Sequence, residues 1–201
     1  MQPLAASFYQ RPVLRVAPDL LGCLLVRRIG TRTLIGRIVE VEAYREDDPA
    51  SHSFQGRTER TEVMFTPGGR MYVYFTYGMH YCANVVTGPD GHGEAALLRA
   101  VEPLAGIEEM TRRRFGKKRL GGRMELMNLA NGPAKLCQAF GIGRKENGCS
   151  LEGPELFITR DSELHRNRVG RSSRIGIRRG TEKRWRFFFL GNEWVSRKNF
   201  Q

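Results

Sequence analysis

The chain lacks any apolar run long enough to cross a bilayer. The longest, Leu20–Val26, ends at Arg27-Arg28, far short of the roughly 20 residues a membrane helix needs. Its start, Met1–Ser7, lacks the basic residues and apolar stretch of a secretory signal, so no membrane is expected and the expected location is the cytoplasm. The cysteines Cys23, Cys82, Cys137 and Cys149 form no Cys-x-x-Cys pair, and His52, His80, His92 and His165 form no His-x-x-x-His pair. That spacing offers neither a zinc site nor an iron–sulfur cluster, so no metal and no cofactor is expected. Gly68-Gly69 and Gly121-Gly122 lack the Lys-Ser/Thr that completes a nucleotide loop, and no Gly-x-Ser-x-Gly elbow occurs. No lysine precedes Lys117.

What is present is arginine, unevenly placed. The 201 residues suit one well-cored domain and are too few for two comfortable ones. The net charge is +12 and the pI about 10.1. Residues 1–107 carry 11 basic against 11 acidic side chains, whereas residues 108–201 carry 22 against 10. Arginines number 27 against 6 lysines, and the planar guanidinium suits phosphate oxygens. A neutral, pocket-forming half joined to a basic half suggests a clamp on a polyanion. A uniformly basic ribosomal-type chain would not keep its first half balanced.

The patterning predicts one α+β domain with a mixed, mainly antiparallel sheet, peripheral helices and a protruding β-hairpin. A helical turn is expected near Ala17–Gly22, then a strand at Cys23–Ile29 and a second strand ending in Tyr44. Residues 45–62 are polar and read as a long loop of the functional type. Met71–Tyr77 is rich in aromatic and β-branched residues and reads as a strand, turned by Gly78-Met79 into another at Tyr81–Val86. Ala95–Val101, Leu156–Thr159, Arg174–Ile177 and Trp185–Leu190 are further expected strands. Glu102–Phe115 and Gly132–Phe140 have helical spacing.

The most informative segment is Gly36–Tyr44. In a regular strand Ile38, Glu40, Glu42 and Tyr44 share one face and Val39, Val41 and Ala43 the other. Two carboxylates beside apolar neighbours are costly unless paired or put to use; the plainer reading leaves that face in water.

Beyond Glu40-Val-Glu-Ala-Tyr44 an ordered series follows. It runs through His52, Met64-Phe-Thr-Pro-Gly68, Met71-Tyr-Val-Tyr-Phe-Thr-Tyr-Gly-Met79, Cys82-Ala-Asn84 and Leu97-Leu-Arg-Ala-Val-Glu-Pro103. It ends with Asn131-Gly-Pro-Ala-Lys-Leu-Cys-Gln138 and Trp194-Val-Ser196. In order and spacing this set resembles the alkyladenine (3-methyladenine) DNA glycosylase family, from about Leu20 to Ser196. The resemblance implies that Glu42 is the general base that activates water, and that Arg99 and the carbonyl of Val195 help hold that water. It implies that Tyr44 and His52 are the walls between which the extruded base stacks, with Tyr74 closing the edge. Asn84 is implied to crowd a guanine's exocyclic amine, and Tyr77 to wedge into the duplex. Met79, Lys135, Arg112, Arg113 and Arg114 are the expected contacts to the DNA backbone. Where the family commonly shows Arg-Asn before Met-Phe, this chain reads Arg60-Thr-Glu-Val-Met-Phe65.

The chemistry implied is coherent. Alkylation puts positive charge on a purine, making it a better leaving group and easier to unstack, and aromatic walls favour an electron-poor ring. A Schiff-base step needs an amine, and residues 1–107 contain no lysine. The expected partner is double-stranded DNA bearing damaged purines, bound by a monomer. Two rivals remain open at the level of sequence. One is a non-catalytic DNA- or RNA-binding protein using Arg112–Arg114, Lys117–Arg119 and Arg174–Arg186 as a phosphate clamp. The other is a sugar glycosidase using Glu40 and Glu42, although both would point the same way rather than flank a sugar.

Overall fold

The structure, a computed structural model, describes residues 1–116, 119–162 and 168–196. Lys117, Lys118 and His165 lie outside the described residues. The described strands are β1 (Leu24–Ile29), β2 (Arg32–Tyr44), β3 (Met71–Thr76), β4 (His80–Val86), β5 (Ala95–Ala105), β6 (Leu156–Thr159), β7 (Val169–Ser172) and β8 (Arg186–Phe189). They form one sheet in the order β3-β4-β5-β2-β1-β6, with β8 joining β2 and β7. Every ladder between described strands is antiparallel. With the helices on its periphery, this is the α+β architecture expected.

Strand β2 is long enough to serve two partners along one edge. Residues 32–37 pair with β1 and residues 40–42 pair with β8, while β5 runs along the other edge. Alternation then sorts the side chains. Val41, Ala43, Met71, Val73, Ala83, Val85, Ala96 and Leu98 enter the main core, and the intervening residues face the opposite side. Helices α2 (Val13–Leu20) and α5 (Pro133–Phe140) cover the core face. The first buries Val13, Val16, Ala17 and Leu20, a spacing that puts all four on one helical stripe. The second starts with Pro133, whose missing N–H costs nothing at a helix start. Gly36 lies beneath it, where a Cβ would come 2.7 Å from Val101 and 3.0 Å from Phe140.

The regular alternation expected for residues 38–44 is broken once. The register between β2 and β5 shifts between Ile38 and Val41, so that Val39-Glu40 oppose Arg99-Ala100. Ile38 therefore joins the main core with Val41. Val39 turns to the other side and packs with Ala100, Phe188, Trp194 and Val195. A local irregularity of this kind re-aims side chains, and here it gathers charge on the site face.

Two short helices were not foreseen, α1 (Ala6–Tyr9) and α4 (Arg123–Met127). Helix α3 (Ile107–Phe115) begins later than expected because β5 continues to Ala105. Its acids Glu108 and Glu109 lie in the first turn and Arg112–Arg114 in the last, the polarity that suits a helix dipole. The strand expected at Arg174–Ile177 is absent. Those residues form a loop, and the ladder to β8 is made by β7 instead. Gly176, at φ +82°, takes the backbone out of the extended region, and Arg174 turns inward to a buried acid.

Candidate active site

On the face of the sheet opposite the main core lies a cavity of about 530 Å³, within the range of small-molecule sites. Strand β2 contributes Tyr44, β3 contributes Tyr72 and Tyr74, β4 contributes Asn84 and β5 contributes Arg99. The loop after β2 adds His52 and Arg60, and residues 175–179 form part of the wall. Most of the lining comes from the charge-neutral first half of the chain, with Pro133 and residues 175–179 coming from the basic half.

Glu42 lies behind this lining, fully buried. Its Oε2 accepts from the Tyr44 hydroxyl at 2.9 Å, and its Oε1 accepts from the Ile175 backbone N–H at 2.7 Å. Arg99 Nη1 stands 3.3 Å from the same Oε1. Burial raises the Glu42 pKa above the usual carboxylate value, while Arg99, the Ile175 amide and Tyr44 pull it back. Tyr44 keeps its proton firmly, because burial and the neighbouring Glu42 charge both raise its pKa.

Glu40 is equally buried but serves a different set of groups. Arg99 Nε and Arg186 Nε donate to its Oε1 at 2.8 and 2.7 Å. Ser196 adds its hydroxyl at 2.8 Å, and its backbone N–H reaches Oε2 at 2.6 Å. The carboxylates are therefore not in water. The acidic partner that a buried Arg99 requires is Glu40 first and Glu42 second. Burial works against the Arg99 charge, but Glu42 and Glu40 outweigh it and raise the pKa further. Val195, just before Ser196, is buried beside Val39 and Ala100 at the same end of the cluster.

Three of the lining rings lie together, His52, Tyr72 and Tyr74. His52 meets Tyr74 edge-to-face with ring centres 4.5 Å apart, and its Nδ1 lies 3.1 Å from the Tyr72 hydroxyl. Its pKa is lowered to about 4, by burial of the ring and then by Arg60, so it is neutral near pH 7. Asn84 is buried on the lining and donates to the Tyr72 carbonyl at 3.1 Å. The plainer role of satisfying backbone is thus met by this side chain. Tyr77 lies at the tip of the β3–β4 hairpin, 85% exposed, with Met79 beside it at 69%. At φ +52° Tyr77 is the one non-glycine residue with a positive φ among the described residues, a conformation that bulky residues rarely adopt.

The expected phosphate contacts are placed less freely. Arg112 and Arg113 are held by Glu109 on their own helix, at 2.6 and 2.7 Å. Arg114 donates to Gln138 and to the Leu129 carbonyl. Lys135 is engaged by Asn128 and Asn131 at 3.0 and 2.8 Å. Within the Arg174–Arg186 run, Arg174 and Arg186 are buried on Asp48 and Glu40, so they cannot reach a phosphate. Arg178 and Arg179 are exposed at the cavity wall. The sequence carried no role for Arg60, Asp48 or the Ile175 amide, while Tyr72 and Ser196 stood in the quoted segments without one. Tyr72 carried a signal in its parity with Tyr74 and Ser196 in its place after Trp194-Val195; the others come from loops whose approach no periodicity records.

The chain matches the family model described as methylpurine-DNA glycosylase over residues 7–193. It is similar to proteins named as candidate 3-methyladenine DNA glycosylases from several organisms. That of Carboxydothermus hydrogenoformans is 48% identical, over 97% of this chain and 99% of the relative. The relative in Methanoculleus marisnigri is 46% identical over the same shares. A third, from Salinibacter ruber, is 43% identical over 98% of this chain and 97% of its own length. With a match spanning almost its whole length, and a buried carboxylate set behind an aromatic cavity, the chain belongs to the methylpurine-DNA glycosylase family.

Proposed function

We propose that this chain excises alkylated purines from duplex DNA, with Glu42 activating the water that displaces the base. The observation that carries the reading is the placement of Glu42. It is a fully buried carboxylate held by three donors behind a ring-lined cavity whose mouth carries an exposed tyrosine. A carboxyl with a raised pKa is a better proton acceptor near neutral pH than one in water, and Arg99, Ile175 and Tyr44 favour its ionised form.

In the reaction, water adds its oxygen to the sugar C1′ and gives its proton to Glu42. The bond from C1′ to the purine nitrogen breaks, and the base leaves with the electron pair. An alkylated purine, cationic before cleavage, departs neutral. Tyr44 and His52 are the proposed stacking walls and Tyr74 the edge. Asn84 limits the room for an exocyclic amine, and Arg99 with the Val195 carbonyl holds the water. Tyr77 fills the gap left in the duplex, and Met79 rests against the backbone beside it. A non-catalytic nucleic-acid binder would need neither the buried carboxylate nor the cavity.

Glu42→Gln tests this directly, since it keeps shape and removes the accepting oxygen. Single-turnover release of free base from a duplex with one alkylated purine should fall by at least about a hundredfold. Affinity for that duplex should hold or rise slightly. Excision at an unchanged rate would end the reading of Glu42 as base.

A further inference from the structure

Asp48 and Arg174 form an ion pair in which both side chains are completely buried. Such pairs seldom add much net stability, because both charges lose their water; what this one holds in place is therefore informative. Asp48 lies in the loop between Tyr44 and His52 and also accepts from the Ala50 N–H. Lys183 stands 3.4 Å from its other side. Arg174 Nη1 donates both to Asp48 and to the carbonyl of Ala43, the residue between Glu42 and Tyr44. Its guanidinium lies 4.6 Å from the centre of the Tyr44 ring. The next residue, Ile175, is the one whose N–H reaches Glu42. Gly180 lets the same loop close over the pair: its φ is +62°, and a Cβ there would come 2.6 Å from Asp48 Oδ1.

We propose that the Asp48–Arg174 pair is a positioning device for the base, fixing the loop that presents the Ile175 N–H to Glu42 and packing against the Tyr44 ring. This rests on the reading of Glu42 given above. Asp48 and Arg174 touch no reacting atom in this scheme; they act through Ile175 and Tyr44. The other groups facing Glu42 are Glu40 and Tyr44 on its own strand, Arg99 on β5, Tyr74 on β3 and Cys82 on β4. Arg186 on β8 lies opposite in register. None of these belongs to the loop, so loosening the pair withdraws the Ile175 N–H, frees the Tyr44 ring whose hydroxyl also donates to Glu42, and leaves the rest. That N–H favours the charged carboxylate, so its loss raises the Glu42 pKa, and the ionised base then forms at higher pH.

The test is single-turnover excision from a duplex carrying one 7-methylguanine, followed from acid to neutral pH, for the unaltered chain, Asp48→Asn and Arg174→Lys. For folded Asp48→Asn we expect an acid limb displaced upward by about one pH unit, which lowers the rate about tenfold along that limb and little on its plateau, with duplex affinity near that of the unaltered chain. Arg174→Lys keeps the charge but not the flat contact and should show the same displacement in smaller measure. An unshifted limb in a folded variant, whether the rate holds or drops equally at every pH, overturns the proposal. If Asp48→Asn does not fold, amide exchange in the unaltered protein decides. The Ile175 N–H should exchange much more slowly than that of Gly176, and fast exchange sinks the idea. Glu42→Gln serves as the outer control: full activity there defeats the base assignment itself, whereas an inactive Glu42→Gln with an unaffected Asp48→Asn defeats only the positioning role.

Discussion

Glu40 and Glu42 are two residues apart on one strand and equally buried, yet different groups reach their oxygens. Glu40 receives two guanidinium groups and both donors of Ser196, a set in which every contact ties one part of the fold to another. Removing its charge leaves Arg99 and Arg186 facing a neutral amide in a dry interior. Breaking one side of such a cluster costs about 3–5 kcal/mol, so Glu40→Gln should lower the melting temperature by roughly 10 °C. Catalysis would suffer only through displacement of Arg99. Thermal unfolding followed by circular dichroism checks this, and a melting temperature within two or so degrees of the unaltered chain's would refute it. The segment 36–44 announced that two carboxylates were unusual, because acids among Ile, Val and Ala have no cheap place to sit. Their division of labour was not legible, since it depends on Arg186 and Ser196 arriving from the far end of the chain.

The β3–β4 hairpin shows how an element can be readable almost to the residue. Aromatic and β-branched residues in Met71–Thr76, a glycine at the turn and alternation on both strands fixed its register, so Tyr77 could be placed at the tip before its exposure was known. Its left-handed backbone conformation was not readable, because nothing but the turn imposes it. In the function proposed above, a ring held out in that way acts on the stacked duplex rather than on the cavity. Tyr77→Ala should therefore slow excision from a paired lesion by about tenfold or more, the scale of one unstacking step, and slow excision from a lesion already unpaired much less. Equal losses on the two substrates would make Tyr77 part of the cavity's chemistry. The failed strand at Arg174–Ile177 shows the opposite case: four residues with a fair β pattern were claimed by a buried ion pair and a left-handed glycine, neither of which local propensity registers.

Across the whole molecule, the excess of positive charge in residues 108–201 was plain from composition, but its availability was not. Several of the arginines that looked free are spent on internal acids, Arg112 and Arg113 on Glu109, Arg174 on Asp48 and Arg186 on Glu40. Arg178 and Arg179 remain exposed beside the cavity, where the function proposed above would place a phosphate flanking an extruded nucleotide. Each should contribute about one unit to the slope of log affinity against log salt for undamaged duplex, so Arg178→Gln with Arg179→Gln should flatten that slope by about two. Arg112→Gln should change it less, because that side chain is held on Glu109 rather than offered beside the cavity. The reverse order of effects, measured by salt titration of binding, would move the DNA path to the α3 side. The long strand β2 carries one last consequence. The carboxylates at positions 40 and 42 find their partners at 99, 175, 186 and 196, with Tyr44 the one local donor, so the centre is assembled almost entirely from contacts distant along the chain. Such contacts form late in folding, since the intervening loops must be closed first. In a nascent or truncated chain that ends before Ser196, Glu40 lacks both donors of that residue, and Arg99, which Glu40 shares with Glu42, loses part of what fixes it.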